Sequence, residues 1–462
     1  MKIKHIAVIL AGGTGQRAGF GIPKQFTKLA GRPLVAHTLE VFQSHKLIDE
    51  IAVVSNTDGI HLVEEIVTQF GFDKVKKILS GGAERYQSSL SAIYAYEKEA
   101  AACDLKLIFH DAVRPLVNKR IIDNVVQALE HYNAVDVVIP ASDTVVEANM
   151  ATNTIKEIPE RSKMRLGQTP QGFAYQTIKL AYTRAIADVG MKTTDDCGVV
   201  VKYVPEERVA LVDGNSANMK LTHGSDLLLL DKLLQCSASR RMEAAGDDVL
   251  LSKLRNKVIV IFGGASGIGK AMAELARAYD AKVAIASRGG GIDVRSAVAV
   301  SGFLKETVGW AKEIHAVVNT AAVLHKQALV HMSDDQLEES IQTNVMGAFV
   351  VARCAHEYLE KSHGHLLMFA SSSYTYGRAF YAPYSASKAA VVNLTQALSD
   401  EWSRAGIKVN CINPERTRTP LRAAAFGVEA EDSLLQPEFV GRRALHVLVG
   451  DMTGHVFDVS KP

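Results

Sequence analysis

A chain of 462 residues is too long for one ordinary core, and its length implies two or three domains. With 47% hydrophobic and 22% charged residues, it has the balance of a folded globular protein and not of a disordered one. A formal charge of +2 gives no footprint for nucleic acid or an anionic membrane, and no apolar run is long enough to span a bilayer.

The first predicted strand, residues 5–10, runs into the glycine-rich turn Ala11-Gly12-Gly13-Thr14-Gly15-Gln16-Arg17, with no signal-peptide cleavage pattern between. Further strands are predicted at 50–55, 107–110, 136–140 and 208–212, mostly separated by helical patterns, which implies a largely parallel sheet. A last helix is predicted at 226–234. The polar, Ser/Ala/Gly-rich stretch 235–249 without strong periodicity is expected to be a linker between domains 1–234 and 250–462. A second strand at 257–262 then meets a second glycine turn at 263–269, and strands at 282–286, 316–319, 365–370, 408–412 and 454–459 alternate with helices. A strand feeding a glycine turn and a helix opens an α/β phosphate-binding unit. Its appearance twice implies an α/β fold of two tandem Rossmann-like, doubly wound domains. Five cysteines (Cys103, Cys197, Cys236, Cys354, Cys411) show no CxxC pair, so neither a disulfide framework nor a zinc site is expected, and a reducing cytoplasm is.

In the first turn, glycines let backbone N–H groups approach phosphate oxygens, and no Gly-Lys-Ser/Thr follows to make it a Walker loop. Arg17 and Lys24 lie on the same short segment. Two cations beside such a cradle call for an anion, and a nucleoside triphosphate is the natural one.

This half resembles the cytidylyltransferases of the methylerythritol phosphate and ribitol phosphate type across nearly all of residues 1–231. The resemblance rests on the loop, on Gly81-Gly82-Ala83-Glu84-Arg85 with Ser88, and on His110-Asp111-Ala112-Val113-Arg114-Pro115. It is extended by Thr169-Pro170-Gln171, Thr194-Asp195 and Asn218-Met219-Lys220-Leu221-Thr222. It implies that Arg17, Lys24 and Lys220 grip the triphosphate of CTP and that Asp111 holds Mg²⁺. It also implies a nucleotide pocket from Ala11, Gly12, Gly13, Gly15, Gly81, Gly82, Arg85 and Ser88, and an acceptor site from Thr144, Arg161, Thr194 and Asp195. The chemistry expected is in-line attack by an acceptor phosphate oxygen, with loss of pyrophosphate.

The second turn, Gly263-Gly264-Ala265-Ser266-Gly267-Ile268-Gly269, and the later Tyr384-Ser385-Ala386-Ser387-Lys388 carry a different chemistry. Tyr384 and Lys388, four apart, share a helix face, and an ammonium beside a phenol is expected to lower its pKa from about 10 towards neutrality. From about residue 256 onward the chain resembles the short-chain dehydrogenase/reductase family. By that resemblance Ser371 is the catalytic serine, with Ser372 or Ser373 as alternatives, and Asn344 anchors a proton relay. The cofactor would lie against Gly263, Ser266, Gly267, Ile268, Gly269, Ser287, Arg288, Asp293, Asn319, Ala321, Tyr384, Lys388 and Thr419. The chain departs from the family at Phe262, in Asn319-Thr320-Ala321-Ala322, at Glu415 and in the short stretch before Asp293. The second strand ends without the acidic residue that binds a free ribose 2′-OH. Ser287 and Arg288 there suit a 2′-phosphate, so NADPH is expected.

Two unrelated sites on one chain imply consecutive steps. The pairing resembles the bifunctional ribulose 5-phosphate reductase/CDP-ribitol pyrophosphorylases of capsule synthesis. That implies ribulose 5-phosphate and ribitol 5-phosphate as substrates, with Arg378, Arg416 or Arg418 holding the ketose phosphate, and a homodimer or larger homo-oligomer. A methylerythritol phosphate acceptor with an unrelated reductase is the alternative. A catalytically dead half kept for binding is disfavoured by the intact Arg17/Lys24/Lys220 and Tyr384/Lys388 sets.

Overall fold

The computed structural model describes residues 3–13, 22–193, 195–244 and 247–461, with side chains described outside 236–248. The chain divides into two compact units, Met1–Asp231 and Lys232–Pro462.

In the first unit, β1 (Ile3–Ala11), β2 (Glu50–Ser55), β3 (Val75–Ser80), β4 (Asp104–Asp111), β5 (Ala134–Pro140), β6 (Arg165–Ala174) and β7 (Val209–Asp213) form one sheet. Its order is β7-β5-β6-β4-β1-β2-β3. Neighbours are parallel except β6, which is antiparallel to both β4 and β5. Both faces are covered: Ala7 and Ile9 belong to one hydrophobic cluster, Ile6 and Val8 to the other. That double burial is why the inner strands read as continuous apolar runs.

Two strands differ from the sequence expectation. β3 is a half-exposed edge strand whose sequence, VKKILS, mixes lysines into the pattern. β6 contains glycine and proline, which ordinarily punctuate a chain. Its register against β5 shifts between Gln168 and Gly172, and that irregularity absorbs them.

The second unit holds β8 (Val258–Phe262), β9 (Lys282–Ala286), β10 (Ala316–Asn319), β11 (His365–Phe369), β12 (Lys408–Pro414) and β13 (Val456–Val459). All pairs are parallel, in the order β9-β8-β10-β11-β12-β13. Only the short turn Arg288–Gly290 separates β9 from the residues leading to the helix Ala297–Ala311, so β9 is the sheet edge. The strand order reverses beside β8, which opens a crevice at the carboxyl ends of β8 and β10.

The stretch expected as a linker, 235–249, is largely helical. A helix runs over Gly224–Ala244, through most of that stretch, and a short one follows at Asp247–Leu251. Ala, Arg, Met and Glu favour helix whether or not an apolar stripe accompanies them, and only the stripe was missing. Among the described residues, no helix is long and apolar enough to cross a membrane.

Candidate active sites

In the first unit the strand ends of β1, β2 and β4 converge. Gly12 and Gly81 flank the buried Ser88 hydroxyl: a Cβ on Gly12 would lie 3.4 Å from Ser88 Oγ, and one on Gly81 only 2.5 Å away. A capping box between Glu84 and Gln87 fixes the start of the helix Arg85–Ala95. Arg85 and Ser88, three apart, therefore share one face.

Asp111, the last residue of β4, is 7% exposed and ringed by cations. Lys220 Nζ lies 2.9 Å, Arg114 Nε 3.4 Å and Arg85 Nε 3.8 Å from its carboxylate oxygens. Burial alone would raise its pKa, but Lys220, then Arg85 and Arg114, outweigh that and hold the carboxyl well below the usual range. The backbone places these groups. The irregularity in β6 brings Thr169 Oγ1 to accept from the Asp111 N–H at 3.1 Å. Asn218 donates to the Thr169 carbonyl at 2.8 Å, Arg114 donates to the Asn218 carbonyl at 2.8 Å, and Leu221 N–H donates to Val113 at 2.9 Å. Those bonds pin the 218–222 segment over Asp111 and carry Lys220 to it. Lys24 Nζ joins the same segment by donating to the Leu221 carbonyl at 3.1 Å.

Asp195 caps the helix Asp196–Tyr203 and accepts from Gln171 Nε2 at 2.7 Å. The same amide nitrogen donates to Asp136 at 2.9 Å, and burial, with Asp195 nearby, pushes the Asp136 carboxyl up to about 6. Asp196 was not singled out in the sequence; it anchors Arg85 by an ion pair of 2.6 Å. Thr144 and Arg161 lie on exposed chain, and Arg161 donates to the Ser142 carbonyl at 3.4 Å, so no contact brings them to Asp111. Gly15, Arg17 and Thr194 lie outside the described residues.

In the second unit a cleft of about 620 Å³ gathers most of the expected residues. Gly263, Ser266, Gly267, Ile268, Gly269, Ser287, Arg288, Asp293, Ala321, Ser371, Tyr384, Lys388 and Thr419 all line it. The turn tolerates no side chain at Gly263. Gly263 has φ +80, and a Cβ there would meet Thr320 Oγ1 at 2.6 Å and Ala321 N at 2.7 Å. Such a cradle, open to backbone approach, fits a dinucleotide pyrophosphate. Asn319 does not line the cleft. Its Oδ1 accepts from the Ala321 N–H at 3.2 Å, which shapes the wall from behind.

Tyr384 lines the cleft from the helix Ala382–Glu401. The expected acidification of its phenol by Lys388 is corrected by the geometry. Burial pushes the Tyr384 phenol up to about 12, with only partial relief from a hydrogen bond to Ser371 and the charge of Arg422. Lys388 Nζ is turned to the Phe369 carbonyl at 2.8 Å, and burial brings the ammonium itself down to about 8. Of the three candidate serines, Ser371 and Ser372 line the cleft, but Ser371 is the one bonded to the phenol; Ser373 is buried beneath. Asn344 lies in a π turn, Gln342–Met346, behind the wall. Its amide accepts from Val323 N–H at 2.8 Å and donates to the Val323 carbonyl at 2.9 Å and to Ser387 Oγ at 3.2 Å.

Arg288 pairs with Glu339 at 2.9 Å while remaining 64% exposed, and Asp293 is chelated by Arg295 at 2.6 Å. Arg378 and Arg416 line the cleft; Arg418 does not, and pairs with Glu431 at 2.6 Å. Arg422 also lines it and escaped the sequence reading, because only the fold turns the segment after Thr419 over the opening.

These arrangements define a nucleotidyltransferase-type unit followed by a short-chain-reductase-type unit. The family profile of 2-C-methyl-D-erythritol 4-phosphate cytidylyltransferase matches residues 5–235, and that of short chain dehydrogenase matches residues 290–429. Over 458 residues the chain is 45% identical to the bifunctional ribulose 5-phosphate reductase/CDP-ribitol pyrophosphorylase of Haemophilus influenzae, covering 99% of this chain and 96% of that protein. Its first half is 41% identical to the 2-C-methyl-D-erythritol 4-phosphate cytidylyltransferase of Thermobifida fusca, covering 51% of this chain and 94% of that protein. It is 36% identical to the ribitol-5-phosphate cytidylyltransferase of Lactiplantibacillus plantarum, covering 50% and 97%. The chain belongs to the family of bifunctional ribulose 5-phosphate reductase/CDP-ribitol pyrophosphorylases. It is therefore a cytidylyltransferase joined to a nicotinamide-dependent reductase.

Proposed function

We propose that the second unit reduces D-ribulose 5-phosphate to D-ribitol 5-phosphate with NADPH. The first unit then couples this product to CTP, giving CDP-ribitol and pyrophosphate for a surface polysaccharide. The observation that carries the reading is the likeness over 99% of the chain to a protein named for both steps. The chemical order runs opposite to the order along the chain, and both steps belong in the cytoplasm.

In the reductase the cofactor, when bound, supplies the hydride that reaches C2 of the ketose. Tyr384, held protonated by burial, donates its proton to the C2 oxygen as the carbonyl becomes an alcohol. Ser371, bonded to the same phenol, donates to that oxygen and orients it. Asn344, fixed by its bonds to Val323 and Ser387, holds the far end of the path that reprotonates Tyr384 through Lys388. Ser287 and Arg288 meet the 2′-phosphate, and Thr419 with the glycine turn meets the pyrophosphate.

In the cytidylyltransferase an oxygen of the ribitol phosphate attacks the α-phosphorus of CTP. The new P–O bond forms as the α–β bridge breaks and pyrophosphate leaves. Lys24 and Lys220, with Arg17, neutralise the charge that gathers there. Gly12, Gly81 and Ser88 read the nucleoside, with Arg85 braced by Asp196. Thr144, Arg161, Thr194 and Asp195 receive the acceptor. Asp111 offers one carboxylate, and among the described residues no cluster of three or more His, Cys, Asp or Glu side chains forms a metal cage. A single carboxylate fits Mg²⁺ that takes its other ligands from nucleotide phosphates and water. Bound there, Mg²⁺ would supply charge neutralisation on the triphosphate.

The test is one reaction with ribulose 5-phosphate, NADPH and CTP, its product followed by mass. CDP-ribitol is the expected product. Cytidylyl transfer to methylerythritol phosphate alone overturns the ribitol assignment.

A further inference from the structure

The lining of the reductase cleft falls into two chemically distinct sets. One is the glycine turn with Ser287 and Arg288; the other is Arg378, Tyr381, Arg416, Arg422, Phe426 and Glu429. Nothing in the hydride chemistry requires the cluster of cations in the second set.

In that set, Arg422 grips Glu429 through two bonds, Nε to Oε2 at 2.6 Å and Nη2 to Oε1 at 2.8 Å. Arg422 and Lys326 each place their charge 4.4 Å from the centre of the Phe426 ring. The Arg422 bond, opposed by partial burial, and then the charges of Arg422, Arg416 and Lys326 hold the Glu429 carboxyl below its usual range. One carboxylate thus sits among three cations. The cluster reaches the reacting centre through rings set edge to face: Phe426 meets Tyr381 at 5.6 Å, and Tyr381 meets Tyr384 at 6.3 Å.

We propose that Arg422, flanked by Arg416 and Lys326, is the seat for the phosphate of the ketose phosphate, and that Glu429 occupies this seat until the substrate displaces it. The inference rests on the reductase reading above. A phosphate dianion outcompetes a carboxylate for the same guanidinium fork, because it brings about twice the charge and a third acceptor oxygen. The Glu429 side chain is 21% exposed, so it has a way out towards solvent. An unphosphorylated ketose offers no such exchange and leaves Glu429 in place. Arg422 is then a specificity-determining residue as well as a binding one.

The experiment compares ribulose 5-phosphate with ribulose in the full chain, reading kcat/KM for each by NADPH oxidation. Arg422→Met should cut the preference for the phosphorylated ketose by at least about 30-fold, with Arg422→Lys recovering part of it. Inorganic phosphate, tested as a competitive inhibitor against the ketose phosphate, should weaken in parallel. Glu429→Gln should lower the KM for ribulose 5-phosphate severalfold, because the internal competitor is gone. A preference in Arg422→Met within threefold of the wild type, or a raised KM in Glu429→Gln, overturns the seat. A wild type inert towards ribulose 5-phosphate overturns the reductase reading itself, so the two failures are distinguishable.

Discussion

The ammonium of Lys388 lies 2.8 Å from the carbonyl oxygen of Phe369, the last residue of β11, and 5.5 Å from the centre of the Tyr384 ring. The residue is buried, and burial brings its pKa down to about 8 from an ordinary 10.5. Lys388 therefore binds its proton less tightly in the folded chain than in the unfolded one. The unfolded state holds more protons between those two values, so this group's contribution to stability rises as pH climbs through that window. At neutral pH it is a cost. Lys388→Met should therefore be more resistant to denaturant at pH 7 by on the order of 1–3 kcal/mol, and that advantage should fade as pH rises from about 8 to about 10.5. Both tryptophans, Trp310 and Trp402, belong to the second unit, so tryptophan fluorescence reports its unfolding directly. Parallel pH profiles for variant and wild type would refute the assignment.

Tyr384→Phe removes the proton donor while keeping the ring. NADPH oxidation by ribulose 5-phosphate should drop by about 10²–10⁴-fold. Pyrophosphate release from CTP and supplied ribitol 5-phosphate should keep its wild-type rate. Loss of both activities would show a folding defect instead.

Asp111→Asn leaves Lys220, Arg114 and Arg85 without the carboxylate that gathers them. Cytidylyl transfer should fall by about 10²–10³-fold, the range for removing one preorganised electrostatic group, with NADPH oxidation preserved. Because that carboxyl is held well below the usual range, the wild-type transfer rate should show no inflection from Asp111 between pH 5 and 7. An acid limb in that interval that disappears in Asp111→Asn would contradict this account.

Arg288→Asp exchanges a guanidinium for a carboxylate where the 2′-phosphate is expected. The ratio of kcat/KM for NADPH over NADH should fall by about 10–100-fold. An unchanged ratio would place the 2′-phosphate elsewhere.

The legible parts of this molecule were those where one short segment carries its own signal. The strands that open the two units, the second glycine turn and the Tyr384/Lys388 spacing are local, and each lies where its segment placed it, while most of the first glycine turn lies outside the described residues. The unread parts depend on partners distant in sequence. β6 looks like a loop by its Gly and Pro content until β4 and β5 pair with it on either side. Asp196 gains meaning only because Arg85, 111 residues earlier, reaches it. Arg422 is one charge among many until the fold sets it against Glu429 and Phe426. The phenol was misjudged for a related reason: spacing places Lys388 on the same helix face, but burial of both groups decides their acidities.

The π turn at Gln342–Met346 has a consequence for how this helix was built. A π turn is a helix carrying one residue more than its regular winding accommodates, at some expense in backbone geometry. Deleting a residue there would let the helix close into ordinary α winding, and the fold would tolerate the loss. The deletion would also swing Asn344 by about 100° around the axis, away from Val323 and Ser387. A shortened chain of this kind should be sturdier than its parent and poorer at delivering protons. The surplus residue is then a concession of strength to placement.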